Sequence, residues 1–223
     1  MKKILIINNE WSRDDKGVLS KGTVPEITHD VFIVTGLTNV VSSFEDVEVV
    51  QVFHSDLTHE MIEYLKPDRI ITSGRMKDWD LDSVKTEYAV EIDLIKNPRI
   101  PLLGICGGQQ LMAMGWDKPI GRMEKDGEEV SEFGAINISL DQEDLLFNNI
   151  SSPMKCIMAH VDEIKELPPG FISIASTEKC RYAAIKLVGK PVWGTQFHPE
   201  LYQDEFPAGR QILENFIYSD IEI

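Results

Sequence analysis

The chain is poor in cysteine: three thiols in 223 residues, Cys106, Cys156 and Cys180, at no repeated spacing. An odd, unpatterned set excludes a disulfide-stapled scaffold and reads as a reduced, cytoplasmic protein. Basic residues are scarce too, 22 Lys and Arg against 37 Asp and Glu, for a net charge of −15. That balance argues against a nucleic acid or an anionic membrane as partner, because either calls for a basic patch. No apolar run approaches the roughly 18 residues of a membrane helix. The amino-terminal run Ile4 to Ile7 turns polar at Asn8, too soon for a signal-peptide core. Internal repeats, low-complexity tracts and a Gly-x-x-x-x-Gly-Lys-Ser/Thr phosphate loop are all missing. What these absences leave is one domain, residues 1–223, able to fill a core without metal or disulfide and suited to a small-molecule substrate.

What is present is alternation. Ile4 to Ile7 reads as a buried strand, and residues 8–24 as a long polar loop. Over Glu26 to Phe44 two patterns compete. Val31 to Thr35 suits a strand, whereas Ile27, Val31, Val34, Leu37 and Val41 are spaced as on a helix, which is the reading preferred. Val47 to Phe53 is the next strand, Thr58 to Leu65 a helix ended by Pro67, and Asp68 to Gly74 a strand entering a turn. Val84 to Ile95 is an amphipathic helix and Ile100 to Ile105 a strand apolar enough for burial on both faces. Short strand-like pieces follow over 133–140, 155–159, 172–176, 183–188 and 192–197, and a helix over 209–218 closes the chain. The expected fold is α/β: a mostly parallel open sheet with helices on both faces and extra short strands in the second half.

The central strand ends in Gly104-Ile105-Cys106-Gly107-Gly108, and a helical pattern begins within three residues. Gly-x-Cys-x-Gly is the cysteine counterpart of the nucleophile elbow, a turn so sharp that flanking Cβ atoms would collide. Such a turn presents the sulfur at the carboxyl end of the sheet above a helix N-terminus. There the partial positive charge favours thiolate and free amides can hold an oxyanion. Glycines around a packed, inert cysteine would look the same, so the reading needs a base elsewhere. His198-Pro199-Glu200 supplies one. A residue before proline is held extended, and alternate residues of an extended segment share a side. His198 and Glu200 are therefore expected to project together as a base and its orienting carboxylate.

Taken together, Gly104 to Gln110 and Gly194-Thr195-Gln196-Phe197-His198-Pro199-Glu200 resemble the two signatures of the class I, triad-type glutamine amidotransferases. Ala159-His160-Val161-Asp162-Glu163, Leu167 to Phe171 and Ile174-Ala175-Ser176 are similar to the glutaminase portion of GMP synthetases. The resemblance covers the chain from Asp68 onward and is thin over residues 8–45. It implies that Cys106 attacks the γ-carboxamide of glutamine, with His198 as base and then acid and Glu200 as orienter. By the same resemblance, Gly107 and the Gly74–Arg75 loop would form the oxyanion hole. Gln110 and the main chain at Val161 and Asp162 would contact the substrate. No cofactor and no metal are implied, and an ATP-dependent synthetase would be the partner that takes the ammonia.

One departure stands out. Where many members carry Ser-Gly-Gly-Pro, this chain has Ser73-Gly74-Arg75-Met76. Arg75 is expected to point to solvent, the alternatives being a grip on substrate carboxylate or a gate that a partner opens. His54-Ser55-Asp56 with His59-Glu60 reads as a helix cap and solvated face rather than a metal site. His160 is expected to be structural or to signal to a partner, and Cys156 and Cys180 are expected to be bystanders. A partner-free hydrolase of γ-glutamyl peptides or amines is the alternative function, and a binding protein without chemistry the third.

Overall fold

The computed structural model describes residues 1–10, 12–13, 19–20 and 35–221. In the first strand, β1 (Lys2–Asn8), Ile4 and Ile6 enter one apolar cluster while Leu5 and Ile7 enter another. Alternating side chains that are all apolar must be covered on both faces, which places β1 inside a sheet between two helix layers. Further along the chain come β2 (Val47–Phe53), β3 (Arg69–Thr72), β4 (Leu102–Ile105), β5 (Glu132–Leu140) and β6 (Met154–His160). The last three are β7 (Phe171–Ser176), β8 (Ala184–Leu187) and β9 (Val192–Thr195). Among the described residues these nine strands form one sheet in the order β6, β5, β7, β8, β9, β4, β3, β1, β2. From β9 to β2 neighbours run parallel, and β8, β7, β5 and β6 continue the sheet antiparallel.

The helices are α1 (Thr35–Ser42), α2 (His59–Leu65), α3 (Val84–Glu87), α4 (Ala89–Lys96), α5 (Gly107–Gly115) and α6 (Ala208–Tyr218). Leu37 and Val41 of α1 join Ile212, Leu213 and Phe216 of α6 in one cluster. On the opposite face Ile62, Val84, Ile92, Ile95, Leu111 and Met112 bring in α2 to α5. The expected α/β class with helices on both faces is what the molecule has.

One local reading is met over its described part and two differ. The helix expected over 26–44 is present as α1, while residues 26–34 lie outside the described residues. Within the stretch read as a loop, Ser12–Arg13 pairs antiparallel with Leu19–Ser20, and the other residues of 11–24 lie outside the description. The single helix expected from Val84 to Ile95 is broken at Tyr88, whose backbone (φ −108°, ψ 22°) leaves the helical region. The break seats the buried Tyr88 ring against His54, with centroids 4.2 Å apart, and lets its hydroxyl donate to the Asn9 carbonyl at 3.2 Å.

The insertion of β9 between β8 and β4 positions the site. Gly194 pairs with Gly104 and Thr195 with Ile105, and the Cys106 amide then donates to the Thr195 carbonyl at 2.6 Å. Two segments some ninety residues apart thus leave adjacent central strands at the same end of the sheet.

Candidate active site

Cys106 lies at φ 50°, ψ −103°, a region L-residues rarely occupy, and Gly107 opens α5 immediately after it. Such a conformation costs on the order of 1–3 kcal/mol and persists only when its surroundings hold it. Two glycines let them do so. A Cβ on Gly108 would stand 2.7 Å from the Thr72 carbonyl oxygen, and one on Gly104 2.7 Å from the Gly108 carbonyl carbon. With neither present, α5 sits directly on β3 and β4.

His198 is extended (φ −102°, ψ 91°), as expected of a residue before proline, and its amide donates to the Ile157 carbonyl at 2.8 Å. The chain does not stay extended: Pro199–Leu201 forms one 3₁₀ turn. His198 and Glu200 still meet, Nδ1–H donating to Oε1 at 2.7 Å. Cys106, His198 and Glu200 are each no more than 5% exposed. A Cβ on Gly74 would lie 3.1 Å from His198 Cε1 and 3.5 Å from Cys106 Cβ, so ring and thiol flank one point. Nε2 is buried without a closed hydrogen bond among the described residues, and the thiol is the polar group that acts on the ring from that side. Loose approaches of this kind are usual in sites without substrate. Burial pushes the imidazole pKa down. The Glu200 carboxylate and the Cys106 sulfur more than reverse this, holding it well above the ordinary histidine value.

Arg75 does not point to solvent. Its guanidinium donates to the carbonyls of Lys77 at 2.8 Å, Asp78 at 2.9 Å and Asn9 at 3.2 Å, and to the Tyr88 hydroxyl. It also lies 4.6 Å from the centre of the Trp79 ring. Five donors in a planar fork satisfy several loop carbonyls at once, an arrangement lysine cannot copy. Glu10 completes the clamp by accepting the Met76 amide at 2.6 Å. The backbone of this loop reaches the elbow, since a Cβ on Gly107 would stand 2.9 Å from the Arg75 nitrogen. Arg75→Ala is therefore expected to lower turnover of the family's substrate by about 10–100-fold, because a loop displaced by an ångström costs that much. Arg75→Lys should rescue little of it. Steady-state kinetics on the three proteins checks this, and a change within a few-fold would mean that the clamp is dispensable.

Gln110 is joined to the sulfur through Gln196. Gln196 Nε2 donates to Cys106 Sγ at 3.4 Å and its Oε1 accepts from Gln110 Nε2 at 3.4 Å. The same Gln110 amide reaches the Asp162 carbonyl at 3.1 Å, and Gln110 Oε1 accepts the Trp79 indole N–H at 3.0 Å. The Val161 carbonyl accepts from the Met123 amide at 2.8 Å. Cys106, His198, Glu200, Gly74, Arg75, Gly107, Gln110 and Asp162 are thus linked to one another at the carboxyl end of the central strands, whereas Val161 turns its carbonyl to Met123. Trp79 and Gln196 are additions from the structure. Gln196 lies inside the second signature, whereas Trp79 carries no sequence signal.

Beneath the loop, Glu91 is wholly buried and accepts from Thr72 Oγ1 at 2.6 Å, while Asn9 Nδ2 donates to that hydroxyl at 2.7 Å. Burial raises its pKa to about 7, against the pull of hydrogen bonds from Thr72 and Asn9. In the unfolded chain the same carboxyl ionises near the ordinary glutamate value. Between that value and pH 7 the folded state therefore holds the extra proton, and stability falls as pH rises. The span corresponds to about 3 kcal/mol. Glu91→Gln is expected to remove this slope and to stabilise the protein at pH 8, read from urea unfolding at pH 5, 7 and 8. A slope unchanged in the variant would place the titration elsewhere.

The remaining candidates fall away from the site. His54, expected on a solvated face, is buried against Tyr88, and burial with the Arg75 charge lowers its pKa to about 4. Thr58 caps α2 through its side chain, and His59 is exposed beside Asp93 at 3.6 Å. Cys156 is held as a thiol by burial and the Glu200 charge, its pKa pushed up to about 12.

An open α/β sheet whose central strand ends in a strained cysteine elbow defines the class of protein. The sequence model of the family described as glutamine amidotransferase class-I matches residues 30–219. The chain belongs to that family, one of enzymes that hydrolyse through a cysteine nucleophile. A glutamine-hydrolyzing GMP synthase subunit of Methanocaldococcus jannaschii is 37% identical over 125 residues, 56% of this chain and 63% of that one. The glutamine-hydrolyzing GMP synthase of Acetivibrio thermocellus is 42% identical over 121 residues, 53% of this chain and 22% of that protein. The matches thus span less than two thirds of the length of these curated relatives. In fold, a glutamine amidotransferase from Thermotoga maritima superposes with a TM-score of 0.70 at 15% identity, over 98% of this chain and 99% of that one. No helix among the described residues is long and apolar enough to cross a membrane.

Proposed function

We propose that residues 1–223 act as a single glutaminase domain in the cytoplasm, releasing ammonia from glutamine for a separate ATP-dependent synthetase. The observation that carries this reading is the 2.7 Å His198–Glu200 pair, whose second nitrogen is unspent beside the Cys106 elbow. His198 Nε2 takes the thiol proton as Cys106 Sγ attacks the γ-carboxamide carbon. The oxyanion is held by the Gly107 amide and the main chain at Gly74 and Arg75, each donor worth about 3 kcal/mol of barrier. On collapse the proton passes from His198 to the leaving nitrogen, and ammonia departs. Water, deprotonated by the same imidazole, then opens the γ-glutamyl thioester and restores the thiol. Glu200 keeps the hydrogen on Nδ1 so that Nε2 meets the sulfur. Gln110 braces both Trp79 and Asp162, and the Val161–Asp162 backbone would hold the α-amino and α-carboxylate groups.

The proposal is tested by comparing ammonia release from glutamine with cleavage of a γ-glutamyl dipeptide, using the chain alone and with a co-purifying synthetase. Glutamine should be preferred by about tenfold or more, with turnover raised by the partner. The opposite preference, with no partner effect, would identify a γ-glutamyl hydrolase instead.

A further inference from the structure

Glu132 opens β5, His160 closes β6, and the strand register sets the two opposite each other. Cys180 joins them from the turn between β7 and β8. The three are 4%, 5% and 1% exposed, and one donor atom from each lies within 4.8 Å of the other two. His160 Nε2 is 3.3 Å from Glu132 Oε2. The other carboxylate oxygen accepts from Thr177 Oγ1 at 2.7 Å, and that hydroxyl accepts the Cys180 amide at 2.8 Å. Thr177 thereby fixes both the carboxylate and the cysteine turn.

The hydrogen on His160 can be assigned. Nδ1 lies 3.0 Å from the Asp162 carbonyl, which can only accept, so Nδ1 carries the hydrogen. With Nδ1 committed to that carbonyl, Nε2 is the ring nitrogen that faces the carboxylate oxygen and the sulfur. Three potential donor atoms converge where water is excluded, and the one ion-pair contact between them is that of His160 with Glu132. Such a pocket is stabilised by a cation between the donors. Nitrogen, sulfur and carboxylate oxygen together are the donor set of zinc. A ligating histidine typically donates its other N–H to a carbonyl, as His160 does here.

We infer that Glu132, His160 and Cys180 form a binding site for a divalent transition-metal ion of the zinc type, separate from the Cys106 centre. The site touches the proposed substrate contacts through one atom. The Asp162 carbonyl that takes His160 Nδ1–H also takes the Gln110 amide, so an ion on His160 stiffens that backbone.

The test is a cobalt titration of the whole, chelator-stripped and reduced chain, followed by displacement with zinc and by metal analysis of the purified protein. One cobalt per chain should bind with a thiolate-to-cobalt absorption band that one equivalent of zinc removes. The band should survive Cys106→Ser and vanish in Cys180→Ser, and Glu132→Gln should weaken binding by about tenfold or more. If Cys180→Ser fails to fold, the Glu132→Gln and Cys106→Ser titrations decide. Absence of the band at saturating cobalt would overturn the inference and leave the cluster as the hydrogen-bonded Glu132–His160 pair alone. A band that needs Cys106 and not Cys180 would overturn it as well, by placing the metal on the nucleophile. Neither readout depends on glutamine turnover.

Discussion

Replacing Cys106 with serine is expected to lower glutamine hydrolysis by about 10⁴-fold or more, since loss of a covalent nucleophile removes nearly all of the catalysis of its unit. A hydroxyl at the same place is far harder to ionise than a thiol, and the unspent His198 nitrogen cannot make up that difference. The fold should survive, because serine is close in volume and the strained backbone is set by Gly104, Gly108 and the β9 pairing rather than by the sulfur. Ammonia release and the melting temperature, measured on the same preparation, separate the two effects. Turnover within tenfold of the parent would show that chemistry does not pass through position 106.

Glu200→Gln is expected to cost about 10⁴-fold in kcat with the geometry intact, as when the carboxylate of a related triad is neutralised. An amide can donate to Nδ1 and so force the hydrogen onto Nε2, where it blocks proton removal from the thiol. The second consequence concerns pH. In the parent, the carboxylate offsets burial and keeps the imidazole well above its ordinary pKa. Without it, burial prevails and the residual activity should show its His198 titration at lower pH. A pH–rate profile that is reduced in height but not displaced would mean that Glu200 does not govern the imidazole charge.

Much of this site is legible in the sequence because its chemistry is local. The elbow needs glycines at fixed offsets from the cysteine, and His-Pro-Glu needs only two residues of spacing, so both can be read without coordinates. Strand β1 is legible for a similar reason, four consecutive apolar residues having no half-buried solution. The inward turn of Arg75 is not legible, because two of its partners, Asn9 and Tyr88, come from separate segments that only the tertiary fold brings together. The break at Tyr88 has the same origin: the local pattern favours one helix, and the need to bury a ring against His54 overrides it. The 3₁₀ turn at Pro199–Leu201 shows an expectation met by another route, since His198 and Glu200 meet without the extended backbone that suggested it.

The arrangement as a whole is tested most directly by trapping the thiol with a diazo-ketone analogue of glutamine and mapping the adduct by mass spectrometry. The account requires a single adduct per chain, on Cys106, blocked by excess glutamine and lost in His198→Ala. Labelling of Cys156 or Cys180 at comparable rates, or labelling of Cys106 that ignores both glutamine and His198, would contradict it.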